Sequence, residues 1–599
     1  MSLQSGFTFA SDASLAPSQQ NPKPLPSACA ADAPFEDKVT LALNSLVEQM
    51  KQGRHLVIAT SMGKDSSVLC AITVLAIERA MNQGIRVPHV CFAHSATGYD
   101  NPVVDGYASR ELEVLKAYLA EKDLPASVAV QRPSLTNDYV VNMIGGRMIA
   151  TMPGTDRSCA TMLKVSTSKQ LKKRLHHLLP GEAVNVVGKR WDESASRQIN
   201  MRETGERPDH AVRVNGELLL SPIAHFTMDD LWTYIAMVRN ADVLADAAPF
   251  KTYSSFEAML QVYRDANGGE CEINAFAYGK PNRTSCGART GCHVCTMVDT
   301  DTSLENMLQE YPFLKPLLDI RAWILENHYN PANRRWLGRE PDSNGDLSIE
   351  PNAYSPEFCR QLLRFYLTAQ VDELEAAERD GRAPAFEVID ERKLIATQAL
   401  WSRYGYNEPW AALRDWHEIY SGQKRYRPEL TGKPYERSNF PRPGSIRLPL
   451  TVFTGNDARQ LQDPAQMMTG NCQAGDDHDP ILLPLNSRGE FNVDADGAEQ
   501  LVWIAGPDIL RDSGHYHQRP SAVIRSLLNY GVLSIRASDR GRWEQMMTIA
   551  DTLDWSRIDK EIADPVALKA IARDAARYGQ LEAPHIFRAP SQPDTGPGF

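Results

Sequence analysis

A short polar loop that follows an apolar run near the start of the chain has the residue types of a phosphate-binding site. The loop comes directly after the run LVIAT and consists of Ser61, Met62, Gly63, Lys64, Asp65 and Ser66. Small residues let backbone N–H groups converge on phosphate oxygens, and a helix that starts behind the loop adds its positive end. Lys64 would supply a positive charge, the serine hydroxyls would donate hydrogen bonds, and Asp65 would brace the loop or contact Mg²⁺. An ordinary turn between a strand and a helix is the alternative interpretation.

Four of the ten cysteines crowd into one glycine-rich stretch near the middle of the chain. They are Cys271, Cys286, Cys292 and Cys295. Four thiolates with few histidines or carboxylates beside them suit zinc or an iron–sulfur cluster, and the spacing alone does not choose between the two. Ten cysteines in 599 residues are too sparse for a secreted disulfide scaffold. The sequence therefore predicts a reducing, cytoplasmic compartment and a metal centre.

The loop at 61–66 resembles the S-G-G-K-D-S loop of the PP-loop ATP pyrophosphatases, with Met62 in place of the first glycine of that family. Two later stretches resemble the PAPS-reductase-like branch of these enzymes. The segment GKRWDESASR at 188–197 matches its G-x-R-x-x-E-S-x-x-R pattern, and the segment at 220–235 matches its P-I-x-x-[WF]-T-x-x-D-[VL]-W-x-Y-I pattern. The three motifs occur in the order of the family.

This resemblance implies ATP binding at the loop and at the second motif. Enzymes of this kind cut between the α and β phosphates, pass AMP to a substrate oxygen and release pyrophosphate. The second motif begins at Gly188, and in it Arg190 and Arg197 would bind anionic oxygens, which a planar guanidinium matches well. Glu193 would orient these two arginines. A solvated, charged helix start is the alternative interpretation of this motif.

The cysteine-rich stretch resembles the DndC-type sulfurtransferases of DNA phosphorothioation. Its residues 289–296 read RTGCHVCT, which is similar to the R-x-G-C-x-x-C-T segment of these proteins. The resemblance implies a [4Fe–4S] cluster on the four cysteines named above, and structural zinc or no metal are the alternatives.

Cys159 stands apart, in a segment that resembles [RS]-x-C-x-x-x-[LF]-K of the same family. A helix start and the neighbouring Arg157 would favour the reactive thiolate form. Cys159 is predicted to carry a persulfide in a sulfur relay. Ligation of the cluster in place of Cys271, or simple packing, are the alternatives.

The resemblance therefore implies an ATP-dependent sulfurtransferase that adenylates a DNA backbone phosphate oxygen and replaces that oxygen with sulfur. ATP, Mg²⁺ and the cluster would be its cofactors. Its partners would be a cysteine desulfurase as sulfur donor, further Dnd-type or Ssp-type subunits, and DNA reached through those proteins. Reduction of PAPS or adenylyl sulfate, tRNA thiolation and nucleotide sensing are the competing hypotheses. The segment at 581–599 has no cysteine, which counts against a reductase with a nucleophile in its tail.

The elements that must position these residues follow from hydrophobic periodicity. Strands are predicted over 55–59, 87–93, 127–131 and 183–188, and helices over 38–51, 66–81, 104–121, 161–179 and, behind a Thr cap, 227–239. Strands interleaved with helices of this length predict an α/β fold with a parallel sheet and right-handed crossovers. Because ligands of such sheets bind at the carboxyl ends of the strands, the loop at 61–66 lies at the expected place.

Five regions are predicted along the chain. They are a disordered tail (1–35), a PP-loop ATP pyrophosphatase domain (36–250), a cysteine-rich iron–sulfur segment (251–303), a helical region ending in a basic loop (304–447) and a mixed, mostly helical C-terminal domain (448–599). Neither a signal peptide nor an apolar run of 18 residues is present, so a membrane span is not expected.

The formal net charge is −11, so DNA binding would need a local basic patch or a partner. The predicted patch is the run at 422–447, with seven basic residues, assisted by Arg334, Arg335 and Arg339. A solvated interdomain loop is the alternative interpretation of this run. Cys70, Cys91 and Cys359 lie in apolar segments and are predicted to be core residues.

Overall fold

The structure of the chain is a computed structural model. It describes residues 25–30, 32–155, 157–179, 181–267, 291–341, 346–437, 440, 444–447, 489–513 and 519–553. Most of the predicted tail at 1–35 lies outside the described residues, as do much of the predicted cysteine-rich segment and parts of the predicted C-terminal domain.

A six-stranded sheet in the order β3-β2-β1-β4-β6-β5 forms the centre of the first half of the chain. Its strands are β1 (His55–Thr60), β2 (Val90–Ser95), β3 (Ala126–Gln131), β4 (Ala183–Val187), β5 (Val212–Val214) and β6 (Glu217–Leu220). Strands β3, β2, β1, β4 and β6 are parallel, and β5 pairs antiparallel with β6. In β1, Ile58 is aligned with Phe92 of β2 on one side and with Val186 of β4 on the other. The predicted α/β fold with a parallel sheet is confirmed.

Helices cover both faces of this sheet. They are α1 (Phe35–Lys51), α2 (Lys64–Asn82), α3 (Pro102–Glu121), α4 (Tyr139–Ile144), α5 (Ser158–Ala160), α6 (Ser166–Leu178), α7 (Ala195–Glu203), α8 (Met228–Arg239) and α9 (Glu257–Ala266), with a π-helical turn (Thr161–Val165) between α5 and α6. On one face, α1, α2, α3 and α8 bury apolar side chains together with Ile58. On the other face, Leu171 and Leu175 of α6 pack against Val57 and Ala129. Successive residues of a strand point to opposite faces, so both faces of β1 are buried, as is usual for parallel sheets.

Helix α8 begins as the sequence predicts. Thr227 accepts a hydrogen bond from the backbone N–H of Asp230, and the Asp230 carboxylate accepts one from the backbone N–H of Thr227. This capping box satisfies donors that the first turn of a helix leaves unpaired. It fixes the start of the helix within the third sequence motif.

The second half of the described chain is largely helical, as predicted. Its helices are α10 (Thr302–Met307), α11 (Lys315–Asn327), α12 (Pro356–Arg379), α13 (Glu391–Tyr404), α14 (Ala411–Tyr420), α15 (Ala495–Gln500), α16 (Gly506–Ser513), α17 (Ala522–Asn529) and α18 (Arg540–Thr552). Two small antiparallel sheets, which the periodicity does not indicate, accompany them. One contains β7 (Arg334–Leu337), β8 (Asp346–Tyr354) and β9 (Gly444–Arg447), and the other contains β10 (Phe491–Val493) and β11 (Leu533–Ile535).

The helical half packs against α4, which follows the third strand of the central sheet. Trp401 of α13 donates a hydrogen bond of 2.8 Å to the carbonyl oxygen of Ile144. A Cβ atom at Gly145 would lie 2.4 Å from the side chain of Leu400, so only glycine allows this close approach. Among the described residues, no helix is both long enough and apolar enough to cross a membrane.

Candidate active site at the carboxyl edge of the sheet

The strand order reverses at β1, because β2 and β3 lie on one side of it and β4 lies on the other. Ligands of open α/β sheets bind at such a switch point, outside the carboxyl ends of the strands. The loop at 61–66 leaves β1 here, and Gly188 leaves β4 here. A Cβ atom at Gly188 would lie 3.3 Å from the carbonyl oxygen of Asp65, so glycine lets the two loops pack against each other.

The loop at 61–66 is closed by hydrogen bonds of its own serines. The backbone N–H of Ser61 donates to Oγ of Ser66 at 3.2 Å, and this hydroxyl donates to the carbonyl oxygen of Gly63 at 3.0 Å. Gly63 caps α2, whose first residue is Lys64. The positive end of α2 therefore lies directly behind the loop, in the arrangement that anion sites use.

Met62 occupies a backbone conformation that explains the glycine found at this position in the family pattern. Its φ is +54°, a left-handed value that residues other than glycine rarely adopt. Its side chain is 1% exposed and packs in the core between the sheet and its helices. The Met62 side chain therefore does not face outward. The side chain lies beneath the loop and not across its mouth.

A buried ion pair connects the loop to the second sequence motif. Nε of Arg190 donates to Oδ1 of Asp65, and Nη1 of Arg190 lies 3.4 Å from the carbonyl oxygen of Phe226. The side chain of Arg190 is fully buried, and that of Asp65 is 4% exposed. Asp65 therefore braces the loop from below. The predicted contact between Arg190 and a substrate anion stays a prediction.

The other two charged residues of the second motif also pair with each other. Nη1 of Arg197 lies 3.0 Å from Oε2 of Glu193, one helical turn earlier, and both side chains are largely buried. Ser194 caps α7 by accepting from the backbone N–H of Arg197 at 3.3 Å. Glu193 thus orients Arg197, and binding of an anion by Arg197 stays a prediction.

Lys64 is positioned by a residue for which the sequence gives no local signal. The hydroxyl of Tyr263, on α9, accepts a hydrogen bond of 3.2 Å from the backbone N–H of Lys64. The ammonium group of Lys64 lies 5.7 Å from the centre of the Tyr263 ring and 3.8 Å from the Asp65 carboxylate. These contacts hold the lysine at the mouth of the loop.

The turn that contains Cys292 and Cys295 is attached to the loop that follows β2. The backbone N–H of Asn101 donates to the carbonyl oxygen of Gly291 at 3.2 Å, and that of His293 donates to Tyr99 at 2.9 Å. In addition, the Cys292 thiol donates to Oδ1 of Asp100 at 3.3 Å. Strands β1 and β2 are parallel neighbours, so their carboxyl ends share one edge. The cysteine turn and the loop at 61–66 therefore lie at the same edge of the sheet.

Cys159 lies close to this turn. Burial lowers the pKa of the Lys164 ammonium group. The nearby acidic groups raise this pKa by more, so that it lies above its usual value; they belong to Asp100, Cys292, Cys159 and Cys295. Burial also raises the pKa of Cys295, and Cys159 acts in the same direction. The structure thus brings Cys159 close to Cys292 and Cys295, from which the sequence separates it by more than 130 positions.

Two further side-chain hydrogen bonds hold the cysteine turn in place. Nε of Arg321, a buried side chain on α11, donates to the carbonyl oxygen of Cys295 at 2.6 Å. Oγ1 of Thr296 donates to the carbonyl oxygen of Thr151 at 2.7 Å. His293 is buried against Tyr99.

The donor set fits an iron–sulfur or zinc site only in part. Within the described ranges, no group of three or more His, Cys, Asp or Glu side chains is arranged to hold a metal ion. The predicted ligands Cys271 and Cys286 lie outside the described residues. Cys292 and Cys295 are spaced as in a thiolate turn, with Cys159 nearby, so the chemistry of the donors fits while the full ligand set is not described.

The predicted core cysteines are confirmed, since Cys70, Cys91 and Cys359 are each at most 1% exposed. The predicted help of Arg334 and Arg335 in DNA binding is wrong. Both side chains are 1% exposed, with the guanidinium groups stacked over Tyr354 and Tyr406.

Most basic residues in the described part of the run at 422–447 pair with carboxylates. Lys424 pairs with Glu418 on α14, and Arg425 and Arg427 pair with Asp372 on α12. These ion pairs favour the alternative interpretation of the run as a solvated interdomain loop. Arg339, predicted with it, donates to the carbonyl oxygen of Gly146.

Residues 55–242, under half of the chain, match the family model described as phosphoadenosine phosphosulfate reductase domain. The match includes the loop at 61–66, Cys159 and the second and third motifs. No curated protein matches the chain. The family match supports a nucleotide-binding sulfur-transfer or reductase-type family of PP-loop proteins for this part of the chain.

Proposed function

We propose that this protein is an ATP-dependent sulfurtransferase that adenylates a non-bridging oxygen of a DNA backbone phosphate and replaces that oxygen with sulfur. The observation that supports it is the shared edge of β1 and β2. The loop at 61–66 leaves one strand there, and the turn of Cys292 is attached behind the other. A nucleotide-activating loop beside a group of thiols is the arrangement that coupled activation and sulfur transfer need.

The loop and its neighbours would bind ATP. The amino end of α2 and the ammonium group of Lys64 would stabilise the charge that develops on the β and γ phosphates as pyrophosphate leaves. Asp65, held by Arg190, would keep the loop in shape. Phosphoryl transfer depends mainly on positioning and electrostatics, so a strong general base is not required.

Mg²⁺ and an iron–sulfur cluster are proposed cofactors. Because Asp65 is bound to Arg190, a Mg²⁺ ion at the loop would take mostly phosphate oxygens as ligands. Cys292 and Cys295 would hold part of a [4Fe–4S] cluster, with Cys271, Cys286 or Cys159 as further ligands. Such a cluster supplies electrons or a sulfur-binding iron when it is present.

The proposed exchange of oxygen for sulfur has three steps. A non-bridging DNA oxygen attacks the α-phosphorus of ATP, and pyrophosphate leaves. The outer sulfur of a persulfide on Cys159 then attacks the DNA phosphorus, and AMP leaves with the oxygen. Finally, a pair of external thiols cleaves the remaining S–S bond, becomes a disulfide and restores the Cys159 thiol. A cysteine desulfurase is the proposed source of the persulfide sulfur, and other subunits of a Dnd-type or Ssp-type system are the proposed partners.

The test uses protein purified without oxygen, with ATP, Mg²⁺, DNA, cysteine and a cysteine desulfurase. The DNA is then digested and examined for phosphorothioate dinucleotides by mass spectrometry. We expect these products with wild-type protein and none with Lys64→Ala, whereas Lys51→Ala, at the far edge of the sheet, should keep wild-type activity. Product formation at the wild-type rate by Lys64→Ala would contradict the role of the loop.

A reductase is the second candidate, and the matched family description favours it. The same preparation is therefore offered phosphoadenosine phosphosulfate and a thiol reductant, and sulfite is measured. Sulfite without phosphorothioate would replace the first proposal by this one. Pyrophosphate release that depends on tRNA and not on DNA would indicate tRNA thiolation instead.

A further inference from the structure

The helical segment behind Cys159 is the most basic stretch of an otherwise acidic chain. Residues 157–181 contain six lysines and arginines and no aspartate or glutamate, whereas the whole chain has a formal net charge of −11. The segment comprises α5, the π-helical turn and α6. The segment therefore begins beside Cys159, and its basic residues are distributed along the helix that leads away from the candidate site.

Helix α6 lies against the same edge of the sheet as the candidate site. The hydroxyl of Ser168 lies 3.3 Å from that of Ser95, the last residue of β2. Nη1 of Arg174 donates to Gln131, the last residue of β3, at 3.2 Å. At 1.5 Å per residue, Lys173 lies roughly 21 Å along the helix from Cys159, within the length of a few nucleotides.

Two lysines of α6 face solvent and are not neutralised within the described part of the chain. Lys169 and Lys173 are exposed and one helical turn apart, so they lie on the same face of the helix. Neither makes an ion pair with a described residue. Lys172 on the flank pairs with Glu217. This differs from the run at 422–447, whose described basic residues largely pair with carboxylates.

We infer that the exposed face of α6, formed by Lys169 and Lys173, binds the phosphate backbone of the DNA strand that is brought to the thiols. This inference rests on the proposed function and names the surface of the chain that holds its substrate. Closely spaced, solvated lysines next to a reaction site suit a polyanion that must pass that site. DNA binding would then not depend on partner proteins alone.

The test compares two matched double variants. Lys169→Gln/Lys173→Gln removes two exposed charges from α6. Lys51→Gln/Lys122→Gln removes two exposed lysines that precede β1 and β3, at the opposite edge of the sheet. Binding of each full-length protein to a fluorescently labelled DNA duplex is measured by anisotropy over a range of salt concentrations, and thermal denaturation checks the folding of each variant.

We expect the α6 variant to bind the duplex roughly 10- to 100-fold more weakly at 0.1 M salt. Its slope of log affinity against log salt should fall by about 2, because each released phosphate contact contributes about 0.9 to the slope for duplex DNA. The control variant should match wild-type protein in affinity and slope.

Three other results would overturn the inference. Equal DNA binding by both variants and wild-type protein would show that α6 does not contact DNA. The phosphorothioate assay would still test the proposed function independently. Absence of duplex binding by wild-type protein would likewise show that α6 does not contact DNA. If DNA binding is unchanged but the α6 variant takes up less sulfur from the desulfurase, the helix binds an acidic protein partner instead.

Discussion

Arg190 and Asp65 form a buried ion pair beneath the candidate nucleotide loop, although 125 positions separate them in the sequence. The pair joins the segment after β4 to the first turn of α2. Both side chains are buried, so each charge is compensated mainly by the other, and the next opposite charges, on Lys64 and Asp192, lie 3.8 Å and 3.7 Å away. The shape of the loop is therefore fixed partly from the neighbouring strand.

Removing one partner of this pair should destabilise the protein strongly. Arg190→Ala leaves the buried carboxylate of Asp65 with only the more distant ammonium group of Lys64, at 3.8 Å, and we expect a loss of about 3–5 kcal/mol in the free energy of unfolding. The control is Arg54→Ala, which removes a partly exposed pair with Glu182 and should cost at most about 1 kcal/mol. Urea denaturation followed by circular dichroism measures both. Equal losses would show that the buried pair does not brace the loop.

Met62 allows a test of backbone strain against burial. Met62→Gly relieves the left-handed strain of about 1 kcal/mol but loses a buried side chain worth about 2–5 kcal/mol, so a net destabilisation of about 2 kcal/mol is expected. Met62→Ala loses the side chain and keeps the strain. It should therefore be less stable than Met62→Gly by about 1 kcal/mol in the same denaturation experiment. The opposite order of the two variants would contradict the strained conformation.

Cys159 should be required for sulfur incorporation. We expect Cys159→Ser to form no phosphorothioate, while Cys29→Ser, far from the thiol group in the sequence, keeps the wild-type rate. Iron and acid-labile sulfide are measured on the same samples. Retained iron identifies Cys159 as the persulfide carrier, and lost iron identifies it as a cluster ligand in place of Cys271. Wild-type product formation by Cys159→Ser would exclude both roles.

His225 should make the stability of the fold depend on pH below neutrality. Burial lowers the pKa of His225 to about 4, and its Nε2 lies 3.1 Å from the carbonyl oxygen of Lys38. The native state holds the ring neutral, while the unfolded chain takes up a proton near pH 6.5. This contribution to stability is therefore complete above pH 6.5 and is lost as the pH falls to about 4, by an amount on the order of 3 kcal/mol.

The measurement is denaturant unfolding of wild-type protein and His225→Gln between pH 7.5 and pH 4, a range of about 3.5 units chosen to span both pKa values. Glutamine keeps a donor for the Lys38 carbonyl oxygen but does not titrate. The loss of stability on acidification should be smaller in the variant. Parallel curves for the two proteins would exclude His225 as a source of the pH dependence.

Periodicity and local chemistry predict the framework of this site but not its contacts. The strand that ends before Ser61 and the Thr227 cap of α8 are encoded within a few residues, so both are predicted correctly. The partners of Lys64 and Asp65 are not, because Tyr263 and Arg190 meet them only after the chain folds. The basic charge of α6 is visible in the sequence, but its place beside the strand ends depends on tertiary packing. Arg334 and Arg335 are mispredicted for the same reason, since burial under aromatic rings cannot be read from a basic pair.

The antiparallel bridge between Asp100 and Cys292 makes the cysteine turn sensitive to changes of length as well as of side chain. The contacts on either side of this bridge are between backbone groups, and neighbouring residues in such a pairing point in opposite directions. A shift by one residue would keep the backbone pairing but set Gly291 or His293 opposite Asp100 and turn the thiol away. The bridge at Asp100 therefore sets the register of the described turn, and a one-residue shift would exchange the Cys292 thiol for an imidazole or for no side chain at all.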